Sequence, residues 1–191
     1  MNDLELINEY IKEGIKAREA IDKEQVLRAA NLIVKTFKNR RKLIFMGNGG
    51  SAADAQHIAA EFVGKFEINR EPLPALALHC NTSSITAIGN DFGFETIFER
   101  QIEAFAQEGD TIFALSTSGN SQNVINGIKK AEEMKCNVLG ITGSDGGVMK
   151  ELIDGSLLFR VGSNTTSIIQ ETTITIGHIL TKLVERELYQ R

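Results

Sequence analysis

The sequence has little cysteine, and none in an arrangement that suggests a metal site or a disulfide framework. Its two cysteines, Cys80 and Cys136, lie far apart in the chain. Metal-binding cysteines usually occur in pairs a few residues apart, and disulfides belong to oxidising compartments. We therefore expect both to be small, buried, apolar side chains in a reduced, cytoplasmic protein.

Long apolar runs and a surplus of positive charge are also missing. No stretch approaches the ~18–20 consecutive apolar residues of a membrane span. Residues 1–14 carry acids where a signal peptide has a basic start and an apolar core. The formal charge of -4 argues against nucleic-acid binding. There is no internal repeat or linker, so we expect one domain with one sizeable core and with neither a membrane nor a nucleic-acid partner.

A glycine-rich turn between a strand and a helix is the most informative stretch that is present. The apolar run from Leu43 to Met46 predicts a buried strand, the three glycines of GNGGS allow close backbone approach, and residues 52–62 favour a helix with Ser51 as its N-cap. Free backbone N–H groups and a helix dipole then point at one spot. The stretch lacks the G-x-G-x-x-G spacing of a dinucleotide site and the GK[ST] of a P-loop.

His57 and Glu61 lie four residues apart on the helix that follows this turn. This spacing places an imidazole and a carboxylate on one helix face. The two could hold a divalent metal, act as an acid–base pair, or hydrogen-bond each other in a structural role. The spacing alone does not choose among these three.

Short apolar strands alternate with helices along the whole chain, which is typical of a doubly wound parallel sheet. Strands are predicted over 43–46, 74–79, 111–115, 137–142 and 157–161. Helices are predicted over 3–38 (two, the second capped by Asp22), 52–62, 81–88 (capped by Asn81), 95–106, 122–134, 148–152 and 167–188, with a turn over 89–93. In such sheets ligands bind beyond the carboxyl ends of the strands. The apolar stripe of the first helix suggests packing against another subunit.

A second polar loop follows the third predicted strand, where four hydroxyls surround one glycine at a helix start. They belong to Ser116, Thr117, Ser118 and Ser121. Hydroxyls and unpaired N–H groups suit a phosphate dianion, although an N-cap with solvated serines would explain one or two of them. No lysine or arginine lies in the loop, so we expect a neutral cradle that suits a sugar phosphate better than a nucleoside triphosphate.

Five motifs together resemble the sugar isomerase (SIS) domain family, and they cover nearly the whole chain in order. They are GNGGSAADAQH-x3-E, TAIGNDFGFE, STSGNS-x-NV, ITGSDGG and Q-E-x6-H. The resemblance implies one SIS domain over residues 1–191, a flavodoxin-like three-layer α/β sandwich with a five-stranded parallel sheet. It also implies an N-terminal helical arm (1–40) for oligomerisation, a long C-terminal helix, and a homotetramer with sites at subunit interfaces.

The resemblance also implies a set of site residues. Zinc, one per subunit, would be held by His57, Glu61, Gln170 and His178. The phosphate would meet Ser116, Thr117, Ser118 and Ser121. The sugar would meet Asn48, Gly49, Ser51, Glu61, Asn90, Asp91 and Gln170.

The implied activity is an aldose–ketose isomerisation of D-sedoheptulose 7-phosphate to D-glycero-D-manno-heptose 7-phosphate. This is the first step of bacterial ADP/GDP-heptose synthesis for lipopolysaccharide, capsule or another glycan. The reaction moves a proton between C1 and C2 through an enediol, and we assign Glu61 as the carbon base and His178 as the oxygen acid/base. Zinc would polarise the carbonyl or order the site, and a metal-bound Glu61 would be a poorer base, so the two assignments compete. The alternative is a non-catalytic SIS-domain adaptor or sugar-phosphate-binding protein, of the type that associates with a replication initiator.

Four residues of the chain differ from the family pattern, and two of the implied zinc ligands lie far apart on the predicted last helix. Ser167, Ile168 and Thr173 stand where catalytic members usually have aspartate, arginine and histidine, and Lys65 replaces a common arginine. Gln170 and His178 are about 12 Å apart along an ideal helix. They could share one ion through fully extended side chains, a helix that starts after Gln170, or more than one subunit. The remaining histidine, His79, we interpret as structural.

Overall fold

The structure is a computed structural model that describes residues 2–190. Its helices are α1 (Asp3–Glu19), α2 (Lys23–Lys38), α3 (Gly50–Val63), α4 (Thr82–Phe92), α5 (Ile97–Phe105), α6 (Gln122–Glu133), α7 (Met149–Leu152) and α8 (Thr166–Tyr189), with a 3₁₀ turn at Phe94–Thr96. Its strands are β1 (Leu43–Gly47), β2 (Ala75–Ala77), β3 (Thr111–Leu115), β4 (Asn137–Thr142) and β5 (Leu158–Arg160).

The five strands form one parallel sheet in the order β2-β1-β3-β4-β5. This is the flavodoxin-like order, and it confirms the predicted fold class. The order reverses between β1 and β3, so the loops after these two strands flank the crevice where such sheets bind ligands. The glycine turn and the serine loop are these two loops.

Helices cover both faces of the sheet, which explains why the strand interiors are apolar on both faces. Phe45 of β1 belongs to the core shared with α2, α3 and α8, whereas its neighbours Ile44 and Met46 belong to the core shared with α5 and α6. All three side chains are fully buried. The result is the expected three-layer sandwich.

Helices α3 and α8 run side by side in the same direction. Gly50 at the start of α3 lies against the Gln170 amide near the start of α8, and Ile58 in mid-helix lies against Gly177. A Cβ atom on Gly177 would come within 2.5 Å of the Ile58 side chain, so the two helices approach closely there. This pair carries the candidate acid–base residues.

Several local predictions can be compared with the structure. The side chain of Asp22 caps α2 and that of Asn81 caps α4, as predicted. The predicted cap at Ser51 is wrong: Gly49 is the N-cap of α3, and Ser51 is buried in the first turn. The helix starts earlier because Gly49 adopts a positive φ of 55°, which lets the chain enter the helix directly.

The predicted turn over 89–93 is also wrong. Helix α4 continues to Phe92 and ends at Gly93, whose φ of 94° breaks the helix. Cys80 is exposed and Cys136 is half-buried, so the prediction of two buried cysteines is wrong as well. Cys80 follows β2, which lies at the edge of the sheet and pairs only with β1. This edge position explains why Cys80 is exposed.

Within residues 2–190, none of the helices combines the length and apolarity needed to cross a membrane.

Candidate active site

The glycine turn and the serine loop are joined by a reciprocal pair of amides. Asn48 donates to Asn123 over 2.8 Å, and Asn123 donates back over 2.9 Å. Each amide group thereby both donates and accepts, so Asn48, predicted as a sugar contact, fixes the two loops relative to each other. Helix α3 has Gly49 as its N-cap and no side-chain cap, so its first N–H groups point to the carboxyl edge of the sheet.

The serine loop has the geometry of an anion cradle. Ser121 occupies the N-cap position of α6 but makes no capping hydrogen bond, because its Oγ pairs with the buried Ser116 Oγ at 3.0 Å. Ser118 Oγ accepts a hydrogen bond from the Asn120 N–H at 3.1 Å. Gly119 has a φ of 66°, and a side chain there would collide with the Gly146 carbonyl. Hydroxyls and the positive end of the α6 dipole therefore meet at one place.

A cleft of about 340 Å³ opens beside this loop, beyond the carboxyl ends of β3, β4 and β5. Its lining includes Thr117, Ser118, Ser144 and Asn164. Next to it, the hydroxyl of Thr142 at the end of β4 is buried without a hydrogen-bond partner among the described residues. The lining is thus mainly hydroxyl and amide groups, with one carboxylate, Asp145.

His57, Glu61 and His178 form a compact cluster where α3 packs on α8. His57 Nε2 lies 3.1 Å from Glu61 Oε1 and 3.2 Å from His178 Nε2. One ligand atom from each of the three residues lies within 4.8 Å of the others. The Glu61 side chain is 24% exposed and that of His57 52%, so the cluster is open to solvent. Two imidazoles and a carboxylate at these separations fit a zinc ion with an open coordination position.

Asp54 lies one turn before His57 on the same face of α3. Burial raises the pKa of its carboxyl to about 6, and the charge of His57 offsets only part of this effect. Its Oδ2 atom is buried and has no hydrogen-bond partner among residues 2–190. A half-buried carboxyl therefore lies between the glycine turn and the histidine cluster.

Comparison with known sequences places this architecture in a family. Residues 8–143 match the family described as SIS domain. The chain belongs to the SIS domain family. The phosphoheptose isomerase of Clostridium acetobutylicum is 47% identical over 188 residues, covering 96% of this chain and 95% of its own.

Two of the solved structures that resemble this SIS domain are also named phosphoheptose isomerases. The phosphoheptose isomerase of Neisseria gonorrhoeae is 38% identical, with a TM-score of 0.90 and coverage of 96% of this chain and 99% of its own. That of Francisella tularensis is 32% identical, with a TM-score of 0.92 and coverage of 97% and 100%. The expected membership of the SIS family is confirmed over nearly the full length.

The other predicted residues of this SIS domain lie in three places. Gln170 is inside α8 with its amide against Gly50, so a helix that starts after Gln170 is excluded. Asn90 donates to Asp91 over 2.7 Å at the exposed end of α4. Ser51 is buried behind the glycine turn.

Three of the four departures from the family pattern lie in the first half of α8, and the fourth lies just after α3. Ser167 is exposed, Ile168 is fully buried, and the Thr173 hydroxyl donates to the Ile169 carbonyl within the helix at 2.9 Å. Lys65 is exposed just after α3. Within one chain, none of these four positions has a polar contact to the His57–Glu61–His178 cluster among the described residues.

One chain of this SIS domain holds the candidate site in two separated parts. At 1.5 Å per residue, Glu61 lies about 16 Å along α3 from Gly50, and His178 about 12 Å along α8 from Gln170. The glycine turn contacts the serine loop through Asn48, so the serine loop lies at the carboxyl edge of the sheet and the His57–Glu61–His178 cluster lies well away from it.

Three contributors escaped prediction from the sequence. Asn123 lies inside the STSGNS-x-NV motif, and Asp54 lies on the face of α3 that His57 marks, so both had a local signal. Phe66 packs against His178 with ring centroids 5.5 Å apart. That contact joins residues more than a hundred positions apart, and no spacing rule would have indicated it.

Proposed function

We propose that this chain is an aldose–ketose isomerase that converts D-sedoheptulose 7-phosphate to D-glycero-D-manno-heptose 7-phosphate. The observation that carries the proposal is the meeting of Glu61 and His178 across the α3–α8 contact, where both lie within reach of one ligand. Relatives that align over nearly the whole chain are named phosphoheptose isomerases. A non-catalytic adaptor would have no use for an exposed carboxylate–imidazole pair, so this alternative is not favoured.

Glu61 and His178 would divide the two proton transfers of the reaction. The Glu61 carboxylate removes a proton from C1 of the ketose and returns it to C2. His178 donates a proton to the C2 oxygen as the enediol forms, and then takes the proton of the C1 hydroxyl as the aldehyde forms. The proton that leaves carbon is returned to carbon, so the sugar is isomerised without net oxidation.

The serine loop would hold the phosphate. Ser116, Thr117, Ser118 and Ser121 surround the start of α6, where the helix dipole favours a negative charge. Gly49 and the amides of Asn90 and Gln170, with Asp91 and Ser51, would orient the sugar hydroxyls or support the turn that does so. Asn48 contributes by holding the glycine turn against Asn123.

The complete site would be assembled from two subunits of a homotetramer. The separation of about 16 Å along α3 leaves the phosphate loop and the acid–base pair of one chain too far apart for one substrate. Helix α1 is unpartnered on its apolar side, where Leu4, Ile7, Ile11 and Ile15 are between 45% and 73% exposed. A neighbouring copy would cover this stripe and bring its own serine loop to Glu61 and His178.

One zinc ion per subunit would be held by His57, Glu61 and His178. The fourth predicted ligand, Gln170, lies about 12 Å along α8 from His178 of the same chain, so in this proposal it would come from a neighbouring subunit. When bound, it would supply Lewis-acid polarisation of the substrate carbonyl or would order these side chains. We further propose that the protein works in the cytoplasm and that its product supplies heptose for lipopolysaccharide or capsule.

The test is to incubate the purified protein with sedoheptulose 7-phosphate and follow the sugar by NMR. We expect conversion, and a loss of about 10²- to 10⁴-fold in kcat in Glu61→Gln and His178→Ala, the range typical of general acid–base groups. Glu9→Gln, an exposed change on α1, is the control and should keep full turnover. Unchanged turnover in either site variant would mean that the assigned roles are wrong.

A further inference from the structure

A buried ion pair outside the candidate site joins Arg70 to Glu185. Arg70 Nε lies 2.7 Å from Glu185 Oε1, and the two side chains are 0% and 3% exposed. Because removing two charges from water costs about as much as their attraction returns, such a pair is weak evidence for stability by itself. The groups that it holds are more informative.

The Arg70 guanidinium binds the end of α3. Its Nη2 donates to the Glu61 carbonyl over 2.8 Å, and its Nη1 donates to the Phe62 carbonyl over 2.9 Å. The same guanidinium is paired with Glu185 of α8. One side chain therefore connects the backbone of the proposed base to the helix that carries His178.

Glu185 also fixes the segment that follows α3. Its carboxylate accepts the N–H groups of Phe66 and Glu67, each over 2.9 Å. The Phe66 ring then packs against the His178 imidazole, with centroids 5.5 Å apart and an interplanar angle of 30°. His57 contacts the imidazole as well, at 5.1 Å between centroids. The orientation of His178 is thus set by two rings, one of which depends on the ion pair.

We propose that Arg70, Glu185 and Phe66 are positioning residues that hold the His178 imidazole at its working distance from Glu61. This inference rests on the proposed function, which gives Glu61 and His178 their roles. Arg70 and Glu185 set the spacing of the two helices, and Phe66 limits rotation of the imidazole. None of the three needs to touch the substrate.

Kinetics of three variants test this assignment. Phe66→Leu and Glu185→Gln are expected to lower kcat about 10- to 100-fold with little change in KM, because a small misplacement weakens the transition state more than substrate binding. Phe66→Tyr keeps the ring and should retain most of the activity.

Asp110→Asn is the matched control. Asp110 is equally buried, and its carboxylate also accepts hydrogen bonds from a lysine side chain and from backbone N–H groups. It lies just before β3 rather than beside the His178 imidazole. We expect it to lower the thermal midpoint while kcat stays near that of the native chain. A comparable loss of kcat in Asp110→Asn, or full kcat in folded Phe66→Leu, would overturn the assignment.

Histidine NMR supplies a readout that does not depend on turnover. The chain has three histidines, His57, His79 and His178. In Phe66→Leu the ring signals of His178 should shift as the neighbouring aromatic ring is lost, while those of His79 should stay in place as an internal reference. An unmoved His178 would overturn the proposal. If the native chain fails to isomerise the sugar but His178 still shifts, the proposed function fails and the positioning contact stands.

Discussion

At the scale of single residues, Glu185 shows how a buried carboxylate can remain charged. Burial raises its pKa, but the N–H groups of Glu67 and Phe66 and the Arg70 guanidinium outweigh this effect, so its pKa lies below the ordinary value of 4.5. Its stabilising contribution is therefore fully present above that value and is lost as the pH falls through the lowered pKa.

We expect Glu185→Gln to reduce the free energy of unfolding by about 3 kcal/mol at pH 7, since it leaves a buried arginine unpaired. The difference from the native chain should shrink as the pH falls below 4.5 and vanish below the lowered native pKa, because the unfolded chain binds a proton at a higher pH than the native carboxylate does. Urea unfolding at several pH values measures this. Glu67→Gln, which removes an exposed pair with Lys182, should have little effect. A difference that does not vary with pH would contradict the assignment.

Site residues could be predicted from the sequence where they lie close together in the chain. The spacing of His57 and Glu61 predicted a shared helix face, and the two side chains do meet. His178 entered only through the resemblance to a family, because nothing in its own neighbourhood singles it out. The contacts of Asn48 with Asn123, and of His178 with Phe66, depend on tertiary packing and could not be derived from spacing.

At the scale of elements, the contact between α3 and α8 depends on the absence of a side chain at one position. A Cβ atom on Gly177 would lie 2.5 Å from Ile58, whose side chain is fully buried. Gly177→Ala is therefore expected to cost about 1–3 kcal/mol by overpacking, although alanine favours a helix. Kinetically it should lower kcat, because His178 is the next residue.

Thermal unfolding and turnover measure both effects. The double variant Gly177→Ala with Ile58→Val, which makes room on α3, should recover part of the loss. Gly162→Ala has open space around the added methyl group and is the control. A fully stable and fully active Gly177→Ala variant would show that the two helices can separate without consequence.

Element types could be predicted from the sequence better than element boundaries. Alternating strands and helices identified the parallel sheet, because buried parallel strands are apolar on both faces. The start of α3 was misplaced because Gly49 was interpreted as part of a turn rather than as the N-cap of the helix. The end of α4 was misplaced because Gly89 was interpreted as a stop signal, although the helix continues through it. Glycine permits many backbone conformations, so its sequence position alone does not determine which one occurs.

At the scale of the whole molecule, a site shared between subunits predicts complementation. Glu61→Gln and Ser121→Ala protomers should each be inactive as pure oligomers. In a mixed oligomer, an intact serine loop from one protomer can meet an intact Glu61 from the other. We expect activity to return in roughly a quarter of the sites if protomers exchange randomly.

Turnover after mixing and reassembly measures this, with exchange verified by mass. A mixture of Glu61→Gln and His178→Ala is the control. Glu61 and His178 belong to the same cluster of one chain, so every protomer in this mixture has a damaged cluster and no activity should return. Absence of recovery in the first mixture, with exchange established, would place the complete site within one chain.

The serine loop contains no lysine or arginine, and this composition has a consequence for the ionic environment of the protein. A phosphate held, as proposed, by short hydrogen bonds from hydroxyls and backbone N–H groups involves no exposed ion pair, and partly buried contacts are screened by salt much less than exposed charges are. The loop's own contribution to phosphate binding should therefore persist from dilute buffer to concentrated electrolyte. Cells whose internal salt varies widely could keep such a cradle without retuning its charge.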